Sequence, residues 1–106
     1  MSAPFVASLR TNRAPIVIAE GAGTIVLRVE AADIWETVRV VARPDTKVSE
    51  LKHRVIKELF PNDYIEDFVL KLRGWEMLDE SSALSAAGVV DGSIILLAYR
   101  RRRPVR

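Results

Sequence analysis

Apolar and polar residues alternate in four separate stretches of this chain and recur at a helical period in one. Thr24–Glu30 (TIVLRVE) alternates, with Ile25, Leu27 and Val29 on one side and Val26, Arg28 and Glu30 on the other. That is the pattern of a strand buried on one face only. Thr37–Arg43 repeats it, with Val38, Val40 and Ala42 inward and Arg39 and Val41 outward. The polar stretch Ala31–Glu36 around Asp33 joins the two as a β-hairpin, and Pro44 closes it because proline cannot donate to the ladder. Val48, Leu51, Val55, Ile56 and Leu59 then form one apolar stripe at helical spacing. Asp45 or Thr46 is placed to cap this helix, and Lys47, Glu50, Lys52, Arg54, Lys57 and Glu58 fill its polar side. Pro61 and Asn62-Asp63 stop it.

After an acidic loop over Asn62–Asp67, Phe68–Arg73 predicts a third strand, with Leu70 and Leu72 inward and Val69, Lys71 and Arg73 outward. Gly74-Trp75 turns the chain, and Met77-Leu78 is a short strand or a buried return. Ser81 or Ser82 starts a helical turn over Ala83–Ala87. Gly88 and Asp91-Gly92 supply the positive-φ positions of a corner. The last strand, Ser93–Tyr99, is the most apolar run in the chain, with Ile95 and Leu97 inward. One helix lying across one face of a small mixed sheet of four to five strands is an α+β layer architecture.

Composition narrows the chemistry. The 106 residues form one domain. There is no cysteine and one histidine, His53, among the polar positions of the helix. Disulfides, thiolate chemistry and multi-histidine metal sites are thereby excluded. The carboxylate pairs Glu66/Asp67 and Asp79/Glu80 lie in loops with no companion base or nucleophile. No phosphate-cradling glycine loop is present, since Gly21-Ala22-Gly23 lacks the spacing and a following helix. The expectation is a non-catalytic protein with no cofactor and no metal, in the cytoplasm. No apolar run approaches the ~20 residues of a membrane span.

The net charge of +2 is unevenly placed. Residues 24–99 carry nine basic and thirteen acidic side chains, whereas residues 100–106 carry five arginines and no acid. Residues 1–23, punctuated by Pro4, Pro15 and the Gly21–Gly23 cluster, read as a flexible arm in which 16–19 can add an edge strand. The basic tail, Arg101, Arg102, Arg103 and Arg106, is a candidate for electrostatic attachment. At an anionic membrane each such residue contributes about 1 kcal/mol, and nucleic-acid phosphates are the other anionic surface.

The order of these elements and several of their residues resemble ubiquitin and ubiquitin-like domains, the β-grasp fold, over residues 24–100. The resemblance is carried by Pro44–Lys47 with Val48-x-x-Leu51-Lys52-x-x-Val55, and by Leu70-Lys71-Leu72-Arg73-Gly74. Leu78-Asp79-Glu80, Leu84-Ser85 and Gly88-Val89-x-Asp91-Gly92-Ser93 extend it to the last strand. It implies a protein-binding module. Conjugated members end in a flexible Gly-Gly carboxylate. The corresponding positions here fall at Arg103-Pro104, which implies a member that is not conjugated to substrates. Ubiquitin's apolar patch corresponds to Lys71, Leu96 and Ala98, with a charge where the family has isoleucine, so receptors reading that patch are not expected to bind.

The predicted partner surface is therefore the open sheet face: Val26, Arg28, Arg39, Lys71, Arg73, Leu96, Ala98 and Arg100. Arginine beside aliphatic residues suits a protein interface. Leu84-x-x-x-Gly88-Val89-x-Asp91-Gly92 also looks like the small ubiquitin-like proteins of bacterial type VII secretion, and an accessory subunit of a larger enzyme is a further reading. Trp35 and Trp75 are expected to fold onto the helix or the edge of the core, the alternative being an exposed aromatic that anchors a partner. A monomer is favoured, with pairing through an edge strand as the route to a dimer.

Overall fold

A computed structural model describes residues 13–100. In chain order the elements are β1 (Ile16–Val17), β2 (Ile25–Ala31), β3 (Glu36–Ala42), α1 (Val48–Leu59), β4 (Phe68–Leu72), β5 (Trp75–Glu76) and β6 (Ile94–Tyr99). The strands form one sheet in the order β1-β3-β2-β6-β4-β5. The sheet has six strands, more than the four or five expected, because β1 and β5 have two residues each and are too short to show a period.

β2 and β3 make the antiparallel hairpin, in register from Ile25 opposite Ala42 to Ala31 opposite Glu36. β6 then lies between β2, to which it is parallel, and β4, to which it is antiparallel. The strand made last is thus central, as its apolar composition requires.

The inward residues of the alternating runs meet the helix stripe. Leu27, Val29, Val38, Val40, Leu70, Ile95 and Leu97 from the sheet, and Val48, Leu51, Val55 and Ile56 from α1, are all almost fully buried. Leu84 and Val89 complete this core from the loop before β6. The turn between them closes with the Val89 amide donating to the Leu84 carbonyl (3.0 Å). Gly88 sits there at φ +93°, a conformation glycine adopts without the Cβ penalty.

Two expectations about α1 are corrected. Neither Asp45 nor Thr46 caps it: Lys47 is the N-cap and makes no side-chain capping bond. Thr46 Oγ1 instead accepts the Arg43 amide (3.1 Å). The amides of Val48 and Ser49 donate to the carbonyls of Ser82 (3.0 Å) and Glu80 (2.7 Å). Two of the orphan donors that every helix start presents are thus met by a distant loop. Lys52, assigned to the polar side, is 3% exposed. Its Nζ donates to Glu80 Oε2 at 2.8 Å, so the loop that caps the helix also neutralises its buried ammonium.

The segment from Arg13 onward is laid against the domain. Ile16 is buried, and β1 pairs in parallel with β3, Ile16 opposite Val40. Arg13 bridges Glu36 and Glu58 at 3.2 Å each, and Arg54 Nη2 donates to the Val17 carbonyl (3.2 Å). The rest of the expected arm, residues 1–12, lies outside the described residues, as does the tail, 101–106.

Candidate protein interface

Among the described residues no element covers the sheet face opposite α1, so its side chains are presented in rows set by strand register. One row runs Arg39, Arg28, Ile94 across β3, β2 and β6. Arg73, just past the end of β4, borders the same end of Ile94. The next row runs Thr37, Glu30, Leu96, Lys71, Glu76 across five strands. Beyond it, Ala98 lies opposite Val69. The face is polarised along the strands. Its first row is cationic, while Asp33, Asp63 and Asp67 gather around Tyr99 at the other end of β6, where the Tyr99 ring lies on the α1 side of the sheet.

Of the residues predicted for this face, Val26, Arg28 and Arg39 are exposed, and Lys71, Leu96 and Ala98 are half-buried. Arg73 is exposed but off the strand. Its φ of +54° begins the turn, and it lines a cleft beside Ile94 at the end of the face. Arg100 is exposed, with Nη2 donating to Glu76 Oε2 at 3.2 Å, and its amide donates to the Asp67 carbonyl (2.7 Å). Val69, which points outward, is nonetheless 5% exposed. It lies on β4, between the two strands that the Arg100–Glu76 ion pair joins. The tail arginines Arg101, Arg102, Arg103 and Arg106 lie outside the described residues.

Sequence reasoning left out Ile94 and Val90. Alternation about Ile95 and Leu97 is a signal that could have placed Ile94 outward, and it is about half exposed. Two shallow clefts meet at this residue. One of about 290 Å³ is lined by Val26, Arg28, Arg39, Asp91 and Ile94, and one of about 450 Å³ by Arg73, Val90, Asp91 and Ile94. Asp91 Oδ1 accepts the Val26 amide (2.8 Å), and the Gly92 amide donates to the Val26 carbonyl (2.8 Å). The corner before β6 is thereby tied to β2, and Asp91, Gly92 and Ile94 line both clefts.

Both tryptophans depart from expectation. Trp35 is 76% exposed and Trp75 78% exposed. Trp35 occupies the left-handed region at φ 55°, ending the 3-10 turn Ala32–Ile34, and lines a small cleft with Glu30, Thr37 and Leu96. Trp75 is on the edge strand β5, opposite Leu72, and with Leu78 lines a cleft of about 570 Å³. His53, as expected, is exposed on α1.

At the acidic end, the Phe68 and Tyr99 rings stack with centroids 4.4 Å apart, and Phe60 packs against Phe68 at 4.7 Å. The Tyr99 hydroxyl donates to Asp63 Oδ2. That bond, helped by partial burial and by the charges of Asp63, Asp33 and Asp67, holds the phenol pKa above its ordinary value. No group of acidic or histidine side chains among the described residues is arranged to hold a metal ion. None of the described helices is long and apolar enough to cross a membrane.

Comparison with known proteins agrees with this architecture. No protein-family model matches the chain, and no curated protein matches it. Solved structures do. The ubiquitin-like domain of an Arabidopsis thaliana protein superposes with a TM-score of 0.64 at 19% identity, covering 84% of this chain and 90% of that one. Ubiquitin of Caldiarchaeum subterraneum gives 0.64 at 18% identity, covering 76% and 98%. The ubiquitin-like domain of Plasmodium falciparum Dsk2 gives 0.62 at 22% identity, covering 73% and 99%. The chain has the ubiquitin-like fold.

Proposed function

We propose that this ubiquitin-like domain is a non-catalytic, non-conjugated protein-interaction module that docks its partner on the open face of the sheet. The observation that supports this reading most is the composition of that face. Val26, Ile94 and Leu96 lie among Arg28, Arg39 and Lys71, none of which is in an ion pair with a described residue. Apolar side chains interleaved with free arginines are the composition of an interface. Lys71 occupies the centre, so the face differs from an apolar ubiquitin patch and selects a different partner. The absence of a glycine pair at Arg103-Pro104 supports the non-conjugated part of the reading.

The test is affinity capture with three forms of the protein, followed by identification of what is retained. Lys71→Glu reverses the central charge, and His53→Glu alters the opposite side of the molecule. A partner lost with Lys71→Glu and kept with His53→Glu supports docking on the open face. A partner kept equally by all three moves the site elsewhere.

A further inference from the structure

The first row of the open face carries more information than the face as a whole. In the antiparallel pair, Arg28 stands directly opposite Arg39. Like charges placed this way repel one another. A sheet surface gains nothing for folding from such an arrangement. Ile94 lies on the other side of Arg28, and Arg73 flanks Ile94 in turn. Adjacent strands are about 4.8 Å apart, so the row from Arg39 to Arg73 extends roughly 14 Å, the length of about four extended residues. No carboxylate oxygen of a described residue lies within ion-pair distance of any of the three arginines. Asp91, which lines both clefts, has Oδ1 committed to the Val26 amide.

We infer that the Arg39–Arg28–Ile94–Arg73 row is a subsite for an acidic–aliphatic segment of a partner protein, with carboxylates on both sides of an aliphatic side chain. The arginine pair takes one carboxylate, which removes the Arg28–Arg39 repulsion and accepts hydrogen bonds from planar donors suited to it. Arg73 takes a second carboxylate across Ile94. The aliphatic side chain between them packs on Ile94, Val26 and Val90, all exposed. That apolar floor is what favours a peptide over a nucleic-acid backbone. The row holds no aromatic ring, the platform on which single-stranded bases stack. The inference rests on the open face being the docking surface and adds the chemistry of what docks there.

The experiment is selection of a phage-displayed library of random linear peptides against the full-length chain. The selected peptides are then titrated into isotope-labelled protein by NMR, in parallel with a single-stranded oligonucleotide. Expected are peptides enriched in Asp or Glu around Leu, Ile or Val, amide shifts centred on Arg28, Arg39, Arg73 and Ile94, and binding that weakens with salt. Arg28→Ala and Arg39→Ala should each weaken binding about ten-fold, with thermal stability retained. Peptides that shift open-face resonances but show no acidic preference, or bind the arginine variants equally, overturn this inference and leave the docking face standing. Peptides that shift resonances elsewhere overturn both. A selection without enrichment, or an oligonucleotide that binds the row more tightly than any peptide at equal salt, overturns the acidic-segment assignment.

Discussion

Replacing Glu80 by Gln should unfold the domain at a markedly lower temperature, although Glu80 is half out of the core. The reason is its partner. The Lys52 side chain is 4% exposed and its ammonium meets Glu80 Oε2 at 2.8 Å, whereas the Glu80 side chain is 33% exposed. Removing one member of a buried ion pair costs about 3–5 kcal/mol, because the other charge is left without compensation. Glutamine keeps the shape and one acceptor oxygen, and water reaches the Glu80 side, so the cost falls to about 2 kcal/mol. In a domain of this size that corresponds to a melting-temperature loss of roughly 8–16 °C. Lys52→Met tells the complementary story. An apolar chain of similar volume removes the buried charge altogether, and such replacements are commonly neutral or stabilising. Thermal and urea denaturation of Glu80→Gln, Lys52→Met and the double variant form a cycle. The reasoning fails if Glu80→Gln costs less than about 0.5 kcal/mol, the noise of additivity in such cycles. It also fails if Lys52→Met destabilises as much as Glu80→Gln.

Three further outcomes follow from the geometry. Spectrophotometric titration in a Tyr64→Phe background should place Tyr99 ionisation above 10.0, and Asp63→Asn should lower it. The neutral phenol is the form the fold favours, so its stabilisation is present below pH 10 and is lost as pH rises through the raised value. A Tyr99→Phe variant that declines identically above pH 10 would refute the link. Leu97→Ala, at the middle of the central strand and 1% exposed, should cost about 2–5 kcal/mol by urea denaturation. A smaller loss would show that the site collapses around the cavity. Arg39→Thr should raise stability by roughly 0.2–1 kcal/mol at low ionic strength by removing the charge opposite Arg28, a gain that shrinks with added salt. No gain at low salt would mean the two guanidinium groups do not repel.

The strands and helix that build the core were legible because each obeys a period: Leu27/Val29, Val38/Val40 and Ile95/Leu97 at two, the Val48–Ile56 stripe at helical spacing. Features that depend on distant chain were not. The α1 cap comes from carbonyls some thirty positions away, at Glu80 and Ser82, which no local capping rule anticipates. Lys52 reads as solvated because its burial follows from that same loop. Most of the open face was nameable from alternation, Ile94 being missed, yet the Arg28–Arg39 confrontation depends on register, which the hairpin's turn and pairing settle. Arg73 kept its exposure but left the strand, since alternation ends where φ turns positive. The tryptophans stand out because ring size alone does not decide burial; the element that carries the ring does. Trp35 and Trp75 occupy a turn and an edge.

The central position of β6 has a consequence for how the chain acquires its structure. During synthesis β2, β3 and α1 emerge first, but the parallel partner of β2 is the last of the described strands to appear. Until it does, the hairpin and β4 share no sheet, and the edge of β2 that β6 will pair is unfilled. The caps of α1 are also late, since they lie at Glu80 and Ser82. Contacts spanning such sequence distances slow folding relative to helical bundles of similar size. A chain interrupted before Ile94 therefore exposes an apolar hairpin without the strand that would cover its edge. Such a fragment is prone to aggregation and is readily distinguished from the finished domain by the machinery that clears incomplete products.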